Sequence, residues 1–169
     1  MRKRLTSKKA IINVFLEGRA ALPFDGITRR RIKSSAERAC EMAGVSGTSM
    51  SVILTDDDRI TAINKRYRNR NRPTDVISFV YSEAPVPAVH GIPETLGDIY
   101  ISLERAERQA ERYDAGPAEE LLRLLVHGIL HLAGYDHERS KLDETIMREK
   151  EIEMLRPLTR RLSSRSNPT

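Results

Sequence analysis

Apolar positions follow two rhythms along this chain. "AIINVFLE" (10–17) is dense in β-branched and aromatic side chains and predicts a strand. "TRRRIKSSAERACEMAG" (28–44) instead spaces Ile32, Ala36, Ala39 and Ala43 at helical intervals and stops at Gly44. "TSMSVILT" (48–55) predicts a second strand. "DDDRITAINKRYR" (56–68) predicts a helix, opened by three acids that suit an N-terminus and carrying Ile60, Ile63 and Tyr67 on one face. "DVISFVY" (75–81) and "LGDIYIS" (96–102) predict two more strands, joined by a proline-rich loop at 82–95. Three helices close the chain. "LERAERQAERYD" follows Ser102 as its cap. "AEELLRLLVHGILHLAG" has Pro117 in its first turn and Gly134 past its end. The last runs from about Glu138 to Leu155. A basic, disordered tail is expected over 157–169. Four strands and about five helices, strands early and helices late, predict an α+β fold: one small domain over 1–156 around a four-stranded mixed sheet.

Composition narrows the class. A chain of 169 residues can bury roughly 70% of its unfolded surface, so a core needs no staples. Cys40 is the only cysteine, which excludes an intrachain disulfide and reads as a small core residue. This fits a reducing cytoplasm. No apolar run approaches the roughly 18 residues of a membrane span. The start "MRKRLTSKKAIINVFLEG" reads as a basic lead-in to the first strand rather than a signal peptide, because Asn13 and Glu17 interrupt it. Lys plus Arg number 29 against 24 Asp plus Glu, a net charge of +5. Distribution matters more than the total. "KRYRNRNR" (65–72) holds five cations and no acid, which suits a polyanion such as RNA.

The chemistry concentrates in "LLVHGILHLAGYDH" (124–137), which holds His127, His131 and His137. Two histidines four apart share one helix face, with Cβ atoms about 5–6 Å apart. Both imidazoles can then reach one zinc ion. Gly134 can end the helix and let His137 return as a third ligand. This His-x3-His-x5-His spacing is that of the metzincin zinc proteases. Three ligands leave a fourth position open, the mark of a catalytic zinc, whose bound water ionises near pH 7. The fourth histidine, His90, stands isolated in the proline-rich loop and is left out of the site. Where a zinc protease carries its glutamate base, this chain has Gly128. That absence favours a substrate whose transition state is helped chiefly by positive charge, such as a phosphodiester. Gly128 is then expected to make room for a bulky substrate. The motif holds no arginine, so one must come from elsewhere; "YRNRNRPTDVISF" (67–79) is the best source. Asp136 is a candidate partner for orienting a ligand histidine. Asp98 either lines the same cleft or caps a turn.

Four blocks, "LTDDDRITAINKRYR", "RPTDVISFVY", "LGDIYIS" and "VHGILHLAGYDH", run in order from about residue 54 to 137. In them the chain resembles the YbeY family of bacterial endoribonucleases. The resemblance implies a small α+β sandwich, one zinc ion per chain on His127, His131 and His137, and a catalytic Arg68. It also implies single-stranded RNA as substrate, maturation of the small-subunit ribosomal RNA 3′ end, and ribosome quality control in the cytoplasm with ribosomal partners. On that reading Lys65, Arg70 and Arg72 hold the flanking RNA backbone. One departure is Val80, where the family usually has proline. Two other functions stay open: a zinc peptidase with a base from outside the motif, and a non-catalytic assembly factor whose zinc only holds the fold.

Overall fold

The computed structural model describes residues 8–81 and 92–163. Among them lie four strands and five helices: β1 (Ile11–Leu16), α1 (Arg29–Met42), β2 (Ser49–Thr55), α2 (Asp57–Arg68), β3 (Val76–Val80), β4 (Thr95–Ser102), α3 (Leu103–Arg112), α4 (Pro117–Leu132) and α5 (Lys141–Ser163). The sheet runs β1-β2-β4-β3. The β1–β2 and β2–β4 pairs are parallel and β3–β4 is antiparallel. The mixed α+β sheet read from the sequence is the one formed. His90 and most of the 82–95 loop lie outside the described residues.

Alternation decides which face each strand buries. Met50, Val52 and Leu54 of β2 and Ile99 and Ile101 of β4 join the main core with α1, α3, α4 and α5. Among the described residues the opposite face is covered by α2, whose Ile60 and Ile63 meet Ile77, Phe79 and Tyr100. α4 is the spine of the main core. Leu121, Leu122, Leu125, Val126, Ile129 and Leu130 on it are fully buried, and each such side chain is worth about 1.5–3 kcal/mol. Cys40 is buried beside Met50, Sγ to Sδ 3.7 Å. Burial pushes its thiol up to about 12, so it stays an inert thiol at neutral pH.

Helix ends are chemically specified. Thr28, Asp56 and Ser102 each accept a backbone N–H from the first turn of the helix that follows. Asp56 is buried and accepts from both Arg59 N (2.8 Å) and Arg19 N (2.7 Å). The bond from Arg59 outweighs burial, and its carboxyl lies below the ordinary carboxylate value. A depressed folded value adds stability that is present above about pH 4 and lost as pH falls through that value. Asp56→Asn keeps an equally good cap but removes the charge. The variant is expected to be about 1 kcal/mol less stable than wild type at pH 7, with the gap smaller at pH 3. Urea midpoints at the two pH values measure this.

The expected break at Pro157 is corrected. α5 runs through it to Ser163, beyond the expected 1–156 domain. Proline removes one helical hydrogen bond, yet the apolar stripe continues: Met147, Met154 and Leu158 are buried and Leu162 packs against the same core. Arg31 Nη2 also donates to Leu158 O at 2.6 Å, tying this last stretch to α1. Residues 164–169 lie outside the described residues. Among the described residues no helix is long and apolar enough to cross a membrane.

Candidate metal centre

α4 places His127 and His131 on one helical face, as their spacing predicts. The chain then turns at Gly134, whose φ of +92° favours glycine, and brings His137 back. One nitrogen from each of the three imidazoles lies within 4.8 Å of the others. The Nε2 atoms of His127 and His131 are 3.1 Å apart. Around a tetrahedral zinc at about 2.0–2.1 Å, two nitrogens stand roughly 3.3 Å apart.

The far sides of the His127 and His131 rings explain why their other nitrogens face inward. His131 Nδ1–H donates to the Tyr135 carbonyl at 3.1 Å. His127 Nδ1–H donates to Glu151 Oε2 on α5 at 3.0 Å. With both Nδ1 atoms protonated, both Nε2 atoms carry lone pairs. Two lone pairs aimed at each other across 3.1 Å repel unless a cation lies between them. Burial, followed by the neighbouring His127 and His137, lowers the His131 pKa below its ordinary value, which keeps its nitrogen free to coordinate. The donor set therefore fits a divalent metal of the zinc type.

The triad opens into a cleft of ≈ 600 Å³, walled by α4, by the turn at 134–139 and by β3 through Val76, Ser78 and Val80. Arg68, the last residue of α2, lines the same cleft. Edge-on packing of Tyr67 against Phe79, centroids 5.0 Å apart, pins that turn of α2 to β3. Lys65, Arg70 and Arg72 are exposed beside the cleft and do not line it. The loop that carries Arg70 and Arg72 is held by buried Asn64, whose Nδ2 donates to Arg72 O at 2.8 Å.

Three readings change. Gly128 makes no room for substrate. A Cβ there would lie 2.7 Å from Ile99 Cγ2, because α4 approaches β4 closely at that point. Asp136 does not orient a histidine, since its oxygens accept from Glu138 N and Arg139 Nε within its own turn. Asp98 neither lines the cleft nor caps a turn. It accepts from Tyr81 Oη at 2.5 Å, which with burial pushes the Tyr81 pKa up to about 12. The residue at the triad that sequence reading missed is Glu151, which pairs with His127. One signal did mark it: Glu151 falls at i+4 from Met147 and three before Met154, so an acid interrupts an otherwise buried stripe.

Fold and site together define a small α+β protein with a three-histidine, metzincin-like helix set beside an arginine-bearing cleft. Residues 24–159 match the family model described as Endoribonuclease YbeY. The chain is 43% identical over 121 residues to the endoribonuclease YbeY of Persephonella marina, covering 72% of this chain and 77% of that one. It is 40% identical over 136 residues to that of Aquifex aeolicus, covering 80% and 87%. A Thermotoga maritima protein of known solution structure superposes with a TM-score of 0.62 at 28% identity, over 92% of this chain and 94% of that one. The chain belongs to the endoribonuclease YbeY family.

Proposed function

We propose that this protein is a metal-dependent endoribonuclease. It holds one zinc ion on His127, His131 and His137 and cleaves single-stranded RNA. The observation that carries the reading is the shared cleft: three inward-facing imidazole nitrogens and the Arg68 side chain line one opening. Zinc, when bound, supplies positive charge and Lewis acidity at that opening. Arg68 contacts the scissile phosphate and stabilises the charge that builds on its non-bridging oxygens. Lys65, Arg70 and Arg72, outside the cleft, hold the flanking RNA backbone and fix its register. The name shared by the relatives supports RNA as substrate. Maturation of the small-subunit ribosomal RNA 3′ end and ribosome quality control, with ribosomal partners in the cytoplasm, is the role this activity would serve.

Gly128 argues against a peptidase. Its Cβ direction points into Ile99 and the sheet, so a general base at that position would not reach the cleft. The test is Arg68→Ala, because Arg68 is exposed and its loss leaves the core intact. The variant is expected to stay folded and zinc-loaded while cleavage of a defined RNA falls about 10²–10³-fold. Wild type and variant are purified identically, and zinc content is measured beside the rate. Unchanged cleavage by the zinc-loaded variant would remove Arg68 from the mechanism, and zinc-loaded wild type that cleaves no RNA would assign the fold a non-catalytic part in ribosome assembly.

A further inference from the structure

Glu151 sits 17% exposed between two partners: His127 Nδ1 at 3.0 Å and Arg123 Nη1 at 3.4 Å. Arg123 is already engaged elsewhere. Its Nε and Nη2 donate to the two oxygens of Glu120 at 2.9 and 2.6 Å. Glu120 is only 3% exposed. The guanidinium is thus spent on a bidentate pair with Glu120, and Glu151 receives only its long third contact. Two carboxylates face one guanidinium, which leaves one negative charge uncompensated in a largely buried cluster. Burying such a charge is costly unless something neutralises it. Among the described residues, the other hydrogen-bond partner of Glu151 is the ring of His127, whose far nitrogen belongs to the triad.

We propose that Glu151 is the positioning residue of the metal centre. Its carboxylate fixes the His127 tautomer and ring angle through Nδ1, and the unbalanced charge of the Glu120–Arg123–Glu151 cluster is neutralised by the cation on the triad. This inference rests on reading the three histidines as metal ligands. The relay extends from the middle of α5 across to α4. His131 has no carboxylate of this kind; its Nδ1 meets the neutral Tyr135 carbonyl. Glu151 is therefore the charged group that raises the basicity of one particular ligand.

Glu151→Gln keeps the side-chain shape and removes the charge. Zinc affinity, measured by competition with a chromophoric chelator, is expected to fall 10–100-fold. Glu151→Asp, which restores the carboxylate on a shorter stem, is expected to fall between wild type and Glu151→Gln. Cobalt-loaded Glu151→Gln is expected to show a visible absorption band displaced from that of wild type, since the His127 ring is no longer held. A purely structural ion pair gives a different result. The chelator-treated Glu151→Gln protein would then melt lower while zinc affinity and the cobalt band stayed as in wild type, and that overturns the proposal. Wild-type protein that binds neither zinc nor cobalt overturns the parent reading of the triad instead.

Discussion

The His131→Ala protein is expected to fold and to lose zinc and RNA cleavage together. His131 lies at the last turn of α4, half-buried, and its Nε2 faces that of His127 across 3.1 Å. Removing it leaves two imidazoles, too few for a stable zinc site of three protein ligands. The lost charge stabilisation is several kcal/mol, and each 1.36 kcal/mol is a factor of ten in rate. Cleavage should therefore drop about 10³-fold or more. The fold should survive. Alanine is the best helix former, and the bond to the Tyr135 carbonyl contributes only about 1 kcal/mol. Zinc content, circular dichroism and cleavage of a defined RNA on one preparation check the three parts. A peptide substrate assayed alongside keeps the peptidase reading open to support: loss of peptide cleavage with RNA cleavage intact would favour it.

The largest stability effect is expected at Gly97. Its φ of +149° lies where side chains are rarely tolerated, at an irregularity where Ser49 pairs with Thr95 but Met50 with Gly97. A Cβ there would lie 1.8 Å from the Phe79 carbonyl oxygen and 3.0 Å from Leu132 Cδ2. The first obstacle is backbone of the neighbouring strand, so no rotamer change relieves it. Gly97→Ala should cost about 3 kcal/mol or more, a fall of roughly 10 °C in Tm for a chain of this size. Thermal and urea unfolding check it, with an unchanged urea m-value showing that only the native state suffered. The contrast with Gly128 is instructive. There the nearest atoms belong to the Ile99 side chain, not to backbone, though Ile99 is β-branched and fully buried, so relief would require the core to shift.

How legible was this molecule in its sequence? Strand and helix periods were plain, because each element buries one face and the burial writes itself as alternation or as a 3.6-residue stripe. The histidine triad was legible for a related reason: its geometry is local, set by one helix turn and one glycine. What was hidden depends on contacts distant along the chain. Gly128 looked like space for a ligand, and only the approach of β4 reveals that Ile99 fills it. Asp136 looked like a natural partner for a neighbouring histidine, but its own turn claims it, and the partner came from α5. Pro157 signalled an end that Leu158 and Leu162 override by packing. Lys65, Arg70 and Arg72 were read as holding the RNA backbone on either side of Arg68. Arg68, at the end of α2, lines the cleft, while Lys65 earlier on the helix and Arg70 and Arg72 in the loop after it do not.

α4 supplies two of the three donor rings and is also the most deeply buried helix of the core. On the proposed reading of the triad, occupancy and durability of the molecule are linked: an ion present at 100 times its dissociation constant adds about 2.7 kcal/mol against unfolding. A cell starved of that ion would hold molecules that open more often and are degraded sooner, so scarcity of a trace nutrient would thin the protein's numbers as well as silence those that remain.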